Sequence, residues 1–446
     1  MKNNRFAQTG ASSRSINIKT ATLSLLFGLF LVPIVVACPA RAIEPQSANS
    51  NYAQGLAEGP GIWVNMWNHP KDNLEQYCLK LHNHGVSNIF LQTSRSNTPA
   101  LADAENVGKI IEACHKYKIH VLAWSFATLA NPQADAQKLI DACSFRTPQG
   151  DGFDGLAANL EQDLSYGKVE AYSKQLRQTL GDKFPMVAVV YSPLNKAPQV
   201  ARTPWKLLDK YYDVIAPMAY WNSKYTKLHA HNYTLDTVKK VRELCGRPDV
   251  DVHVIGDGMK THQADILDFM KACKDTSATS ASLYPFHQMT EEQFLCLGKY
   301  SEYFPANNKH RLNSLKYLIS QGHVQTNSED GKSLDPAKPV SKGQFYKWIT
   351  HEGLNQKHQS AITCHNVLKS LNLIDQVENL NEPISKREAH QITTKVIALK
   401  NQSQKKSLTN WFVAPAQAST FPNVNHQGGE AANYFDIGEL ILHASH

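Results

Sequence analysis

No strand-like run in this sequence is followed by G-x-G-x-x-G or by a P-loop, which argues against a nucleotide-binding, doubly wound sheet. No H-E-x-x-H pair and no carboxylate–histidine cluster is present, so no metal and no cofactor are expected, although the chain has 19 histidines. His229-Ala230-His231 falls in a loop-like stretch and reads as solvated. There is no G-x-S-x-G elbow, and no cysteine has a base beside it. Cysteine is scarce and makes no C-x-x-C pair. Beyond Cys38 there are Cys78, Cys114, Cys143, Cys245, Cys273, Cys296 and Cys364, an odd set in which six sit on apolar helical positions. They read as buried small hydrophobes, with one or two disulfides left open. A basic surface is also missing. The net charge of +7 includes Lys2, Arg5, Arg14, Lys19 and Arg41, unopposed by any acid before residue 43; beyond them 41 basic residues face 39 acidic ones. Lysine and arginine are dispersed, so no nucleic-acid partner is expected.

Long apolar runs are absent except near the start. Ala21 to Ala37 follows a basic region and precedes Ala40-Arg41-Ala42, a small-x-small cleavage site, so residues 1–42 read as a secretory signal peptide. Val35-Val36-Ala37-Cys38 resembles a lipoprotein signal acylated at Cys38, a rival reading, and a retained membrane anchor is a third. With the signal removed no segment is long enough to cross a bilayer. The expected location is exported: periplasmic, cell-surface or extracellular.

Residues 43–60 are polar and read as a tether. From Gly61 strand and helix patterns alternate. Strands are expected at Gly61–Trp67, Asn88–Gln92, Ile119–Ser125, 152–161, Met186–Tyr191, Asp213–Tyr220, Val250–Ile255 and Ala281–Phe286. Helices are expected at Leu74–His84, Val107–Tyr117, Ala134–Cys143, Val169–Leu180, Pro204–Tyr211, Leu235–Cys245, Ala264–Cys273 and Glu291–Leu297. Eight such units within 61–303 predict an α/β fold, a (β/α)8 barrel, followed by a smaller and mainly α-helical repeat domain.

The repeat occupies 304–399. Tyr317–Val324 matches Val367–Ile374, and each leads to Pro-[Val/Ile]-Ser-Lys, at Pro339–Lys342 and Pro383–Lys386. Ser341 with Gln344, and Ser385 with Glu388, have the spacing of capping boxes. Residues 400–420 read as a linker, and 421–446 as a partial third repeat ending in Tyr434–His443. The unit resembles the surface-layer homology module, whose copies begin a helix with Pro, a β-branched residue, Ser or Thr, a basic residue and Glu. Copy one departs, with Gly343-Gln344 in place of a basic residue and Glu. That resemblance implies attachment to cell-wall polysaccharide; the other reading is a helical accessory domain.

The barrel is organised around Gly152-Phe153-Asp154-Gly155-Leu156-Ala157-Ala158-Asn159-Leu160-Glu161. Strand side chains alternate, so Gly155, Ala157, Asn159 and Glu161 share the inward face. Function in such barrels sits where strands end. The other strand ends offer Asn65, Trp67, Gln92, Trp124, Tyr191, Met218, Tyr220, Trp221, Asp257, Tyr284 and His287, rich in aromatics and amides that suit sugars. Glu161 is the obvious acid. Asp163 and Asp257 are the available second carboxylates for ordinary glycosidic cleavage. A substrate-assisted route needs only one: the sugar's own 2-acetamido oxygen attacks, Glu161 protonates the leaving oxygen, and Asn159, about 6–7 Å back along the strand, holds the acetamide.

Asp154-Gly155-Leu156-Ala157-Ala158-Asn159-Leu160-Glu161 resembles the D-G-x-D-x-D-x-E strand of family 18 glycoside hydrolases, the chitinases and their relatives, with Ala157 and Asn159 in place of Asp. Pro217-Met218-Ala219-Tyr220-Trp221 is similar to that family's sixth-strand segment. Gly152-Phe153-Asp154-Gly155 with Asn159-x-Glu161 resembles family 85 endo-β-N-acetylglucosaminidases, and implies Asn159 at the acetamide and Glu161 as acid. The function expected is an exported glycoside hydrolase on N-acetylglucosamine-containing glycan, with peptidoglycan among the candidates. Its catalytic set is Glu161, Asn159 and Tyr220, and its substrate contacts are Trp67, Gln92, Trp124, Tyr191, Met218, Trp221, Asp257 and Tyr284. The alternative is a non-catalytic glycan-binding or wall-attachment protein on a barrel scaffold.

Overall fold

A computed structural model of the chain describes residues 59–222, 229–259, 261–300, 307–325, 334–336, 338–357, 360–374, 379–408 and 431–445. The expected signal peptide, residues 43–58 of the expected tether, and residues 409–430 lie outside the described residues. Eight parallel strands close into a barrel in chain order. They are β1 (Gly61–Val64), β2 (Asn88–Arg95), β3 (His120–Ala127), β4 (Gly155–Leu160), β5 (Met186–Tyr191), β6 (Val214–Ala219), β7 (His253–Asp257) and β8 (Ser280–Tyr284). The helices that follow them are α1 (Leu74–Asn83), α2 (Ala104–Lys116), α3 (Pro132–Ser144), α4 (Tyr166–Leu180), α5 (Trp205–Tyr211), α6 (Ala230–Cys245), α7 (Gln263–Asp275) and α8 (Glu291–Leu297). Closure joins β1 to β8 through Gly61↔Ser282 and Ile62↔Leu283.

Strand alternation divides the core in two. Trp63, Phe90, Leu122, Trp124, Ala157, Val187 and Val214 fill the barrel interior. Leu156, Ala158 and Leu160 of β4 join the larger layer between strands and helices. At Gly155 an added Cβ would stand 3.0 Å from the Pro185 carbonyl oxygen, so the close approach of β4 to the segment before β5 needs glycine there. All seven cysteines of the described residues are buried thiols. Cys78 and Cys114 lie 3.5 Å apart, sulfur to sulfur, between α1 and α2.

Two expected strands, β2 and β3, are longer in the structure, and β1, β4, β6, β7 and β8 are shorter. β2 runs on to Arg95 and β3 to Ala127. β1 stops at Val64, because the Asn65 carbonyl accepts the Asn68 N–H at 3.0 Å and the two side-chain amides bond at 2.5 Å, which turns the chain. The stretch read as a loop at His229-Ala230-His231 starts α6: His229 precedes the first turn and His231 pairs with Asp275 at 3.1 Å.

The remaining helices are α9 (Asn307–Ser320), α10 (Lys342–Trp348) with a π-turn at Ile349–Gly353, α11 (Ala361–Ser370), α12 (Lys386–Leu408) and α13 (Tyr434–Ser445). They have their own core, with Phe345, Tyr346, Ile349, Leu368, Ile384 and Ile437 buried together. The linker expected from residue 400 is helical as far as Leu408, because its Gln, Lys and Ser residues follow an established helix whose interior they can continue. Three chain segments meet in a ring of backbone bonds. The Val340 N–H donates to the Ala432 carbonyl at 2.8 Å, Ala432 to Ile384 at 2.8 Å, and Ile384 to Val340 at 2.9 Å. After each segment a helix is capped. Ser341 and Gln344 form a reciprocal capping box. Ser385 accepts the Glu388 N–H at 3.2 Å, and Asn433 accepts the Asp436 N–H at 3.1 Å. Ion pairs Lys342–Glu388 at 3.2 Å and Lys386–Asp436 at 3.5 Å link each start to the next. Lys316 reaches Asp251 at 2.6 Å, two residues ahead of β7, so this contact is at the end of the barrel opposite the strands' carboxyl ends.

Asp154 latches that same end. It accepts the Val121 N–H at 2.8 Å and bonds His115 Nε2 at 3.0 Å, while His115 Nδ1 meets Asp151 at 2.9 Å. Burial alone would pull the His115 imidazole down, but the two carboxylates outweigh it and push it up to about 9. Burial opposes the Asp154 charge, yet the bonds from His115, His120 and Val121 hold it well below the usual carboxylate range. Because the folded His115 binds its proton more tightly than the unfolded chain, its contribution is complete below about pH 6.5 and is lost as pH rises through about 9. Denaturant unfolding at pH 6.5 and 9.5 is expected to show a fall of about 1–3 kcal/mol that His115→Gln removes. An equal fall in the variant would contradict this.

Candidate active site

β4 places the central pair. Its inward positions run from Gly155 through Ala157 to Asn159, and Glu161 follows one residue past the strand. Ala157 is fully buried in the interior apolar cluster. Asn159 is buried beside Phe126, its register partner on β3. Glu161 stands at the mouth, half-buried. The Asn159 amide Nδ2 donates to Glu161 Oε1 at 2.8 Å. Asn159 Oδ1 is buried and has no hydrogen-bond partner among the described residues. A buried amide oxygen is stabilised by a donor, so a ligand N–H that reaches Oδ1 would be bound there.

Three phenols surround the pair. Tyr191, Tyr220 and Tyr284 pack half-buried on top of the interior cluster. The Tyr220 and Tyr284 rings stack with centroids 6.2 Å apart. Burial pushes the Tyr220 hydroxyl well above the usual phenol range, and the nearby charges of Glu161 and Asp257 push the same way. Burial, then Glu161, raises Tyr284, with Arg95 opposing. Both phenols therefore keep their protons and remain hydrogen-bond donors. Asp257, the last residue of β7, is buried; that raises its carboxyl, against a bond from the Met259 N–H at 2.8 Å.

The other expected contacts divide between mouth, floor and elsewhere. Gln92 lies under the mouth, its Oε1 accepting the Met66 N–H at 3.2 Å and its buried Nε2 without a partner. Met218 is buried in the interior cluster. Trp124 is floor: it is 5% exposed, its N–H donates to the Val64 carbonyl at 3.3 Å, and its edge meets Trp63. Trp67 is on the rim. The turn that ends β1 leaves it 69% exposed, with the Arg95 guanidinium 5.5 Å from its ring centre.

Trp221 is not in the trough. It is 1% exposed and packs against Phe269 in the layer between strands and helices, because Tyr220 and Trp221 are neighbours and only one can face inward. His287 is exposed in a short turn after β8. Asp163 is tied to Lys168 at 2.7 Å, next to the start of α4. Asp154 serves the opposite barrel end, a strand length of more than about 20 Å from Glu161.

Two mouth residues escaped the sequence reading. Phe126 lies beyond the expected end of β3. Arg95 lies beyond that of β2, where the register shifts between Gln92 and Ser94 and so changes which side chains face in. Arg95 sits 4.4 Å over the Phe126 ring. The β-rich continuation Thr93-Ser94-Arg95 was the signal available for it.

The mouth thus offers one carboxylate held by an amide, one buried amide acceptor, protonated phenols, a buried second carboxyl and aromatic walls. Among the described residues no metal-ligand cluster lies there.

No family model matches the chain, and no curated protein matches it. Among solved structures it is similar to a family GH18 chitinase from Cycas revoluta in complex with allosamidin, at 9% identity, over 55% of this chain and 99% of that one, with a TM-score of 0.42. It is similar to a GH18 chitinase from Pseudoalteromonas aurantia at 14% identity, over 55% and 100%, with a TM-score of 0.41. A third is a glycoside hydrolase family 18 N-acetylglucosaminidase from Paenibacillus barengoltzii, at 8% identity, over 55% and 99%, with a TM-score of 0.41. These are likenesses to glycoside hydrolase barrels, and at this distance they carry no chemistry to this chain.

Proposed function

We propose that the chain is an exported glycoside hydrolase that cleaves N-acetylglucosamine-containing glycan by substrate-assisted catalysis. The observation that carries this reading is Asn159: its amide N–H holds Glu161 while its buried oxygen has no donor among the described residues. A 2-acetamido N–H supplies that donor. Once held, the acetamide carbonyl oxygen attacks the anomeric carbon as the glycosidic bond breaks. Glu161 gives its proton to the leaving oxygen, and the cyclised oxazolinium intermediate is then opened by water that Glu161 deprotonates. Protonated Glu161 can keep Oε1 on the Asn159 amide and present Oε2–H to the leaving group. Tyr220, a persistent donor, would hold the acetamide oxygen in line. Tyr191, Tyr284, Phe126 and Trp67 would stack on sugar rings. In the helical region the Pro-x-Ser-Lys starts would attach the protein to wall polysaccharide, with peptidoglycan among the polymers that the barrel meets.

Release of reducing ends from chitin oligomers, peptidoglycan and N-glycan cores is expected to vanish in Glu161→Gln, since an amide has no proton to give at that step. Full activity in the variant would overturn the assignment. Asn159→Ala is expected to lower kcat by about 10²–10³, as for one oriented transition-state partner, while Asp257→Asn stays within about tenfold of wild type. Glycans lacking the 2-acetamido group are expected not to turn over. The reverse ranking of Asn159 and Asp257 would make Glu161 and Asp257 a two-carboxylate pair instead.

Ala157 favours a second reading. Family 18 enzymes have Asp at the matching position, and here a methyl group packs into the interior cluster. A barrel that only binds glycan would tolerate that change. It would sediment with purified cell wall equally well as wild type and as Glu161→Gln, with no product on long incubation.

A further inference from the structure

His323, His351 and Glu352 converge in the helical region, away from the barrel mouth, and we propose that they form a binding site for a divalent transition-metal ion of the zinc class. His323 Nε2 lies 2.6 Å from Glu352 Oε1, His351 Nδ1 lies 3.0 Å from the same oxygen, and the two ring nitrogens are 3.3 Å apart. Four ligands at about 2.0–2.1 Å from zinc stand about 3.3 Å from one another, so three corners of a tetrahedron are nearly in place. Among the described residues this is the one place where three such groups each bring a ligand atom within 4.8 Å of the other two.

The backbone builds the site from separate pieces. Gly322 adopts a left-handed φ of 71° after α9, and the His323 N–H returns to the Leu318 carbonyl at 2.9 Å, folding His323 back along its own helix. His351 and Glu352 are sequence neighbours, which in an α-helix would not face each other. They lie in the π-turn Ile349–Gly353, the kind of widened turn often found at functional sites, and there they converge. The Tyr317 hydroxyl donates to Glu352 Oε2 at 2.7 Å and so orients Oε1 toward the imidazoles, as an outer partner does for a metal ligand.

His323 Nε2 bonds Glu352 Oε1 at 2.6 Å and the two ring nitrogens bond each other at 3.3 Å, so the three ligand atoms gather around one point. A metal ion bound there would take all three lone pairs. Imidazole ligands select a zinc-class ion over calcium or magnesium, which prefer oxygen. His323 and Glu352 side chains are 9% and 12% exposed and His351 is 24% exposed, so an ion can enter from the His351 side. The fourth position is left for water or an external ligand. Bound metal would staple the end of α9 to the end of α10 and fix the first repeat. This inference is independent of the barrel's proposed chemistry.

Calorimetric titration of the full chain with zinc chloride, under reducing conditions, tests it. One ion per chain is expected at micromolar or lower concentration, undisturbed by excess magnesium or calcium, together with a rise in unfolding temperature. His351→Ala and Glu352→Gln are each expected to weaken binding by about 10–100-fold or more and to cancel the temperature rise. His351 is the most exposed of the three, and circular dichroism of His351→Ala checks that the fold is kept. No binding by wild type, or equal binding by a correctly folded His351→Ala/Glu352→Gln double variant, would overturn the proposal.

Discussion

Asn159 and Glu161 meet because a β-strand repeats every two residues. β4 is buried on both faces, so its outward residues must be apolar and its inward residues must fit a packed interior. That interior narrows to Ala157 and then opens at the mouth. The two polar side chains occupy the last two inward steps, where a polar group has room and a partner. Their 2.8 Å hydrogen bond uses one end of the Asn159 amide, and the other end meets no donor among the described residues. The Asp154–His115 latch at the other end of the strand, and the close approach at Gly155, hold β4 in this register. A one-residue slip would exchange the faces and bury Glu161 among the helices.

The barrel was legible because its signal is repeated eight times, and the inward face of β4 because one period runs uninterrupted through it. Strand ends were less legible, for identifiable reasons. β1 ends early at a turn made by two asparagine side chains, which puts Trp67 on the rim. β2 contains a register irregularity, so alternation counted from Phe90 fails to place Arg95. The Tyr220-Trp221 pair differs in the opposite sense: the sequence suggests both at the sugar, although period two permits one, and the packing of Trp221 on Phe269 leaves Tyr220 at the mouth. Orphaned atoms such as Asn159 Oδ1 are not visible in sequence at all, since they depend on what fails to arrive from other strands.

The helical region gives the same lesson. Its capping boxes were readable because they are local, Ser341 with Gln344 and Ser385 with Glu388. The ring of Val340, Ile384 and Ala432 backbone bonds was not, because its three members are far apart in the chain. His323, His351 and Glu352 were likewise scattered in sequence: 27 residues separate the two histidines, and only a π-turn brings the adjacent pair to one side. A search by motif spacing fails there because the spacing belongs to no recurrent helix period.

The central claim is that Asn159 Oδ1 accepts the N–H of a sugar acetamide. An N-acetylglucosamine-derived thiazoline imitates the cyclised intermediate and needs no knowledge of the natural glycan or linkage. Its titration into wild type, Asn159→Ala and Asp257→Asn is the most direct measurement. The account predicts saturable binding to wild type and to Asp257→Asn, weakened about 100-fold or more in Asn159→Ala. No binding to wild type, or binding indifferent to Asn159, would contradict it.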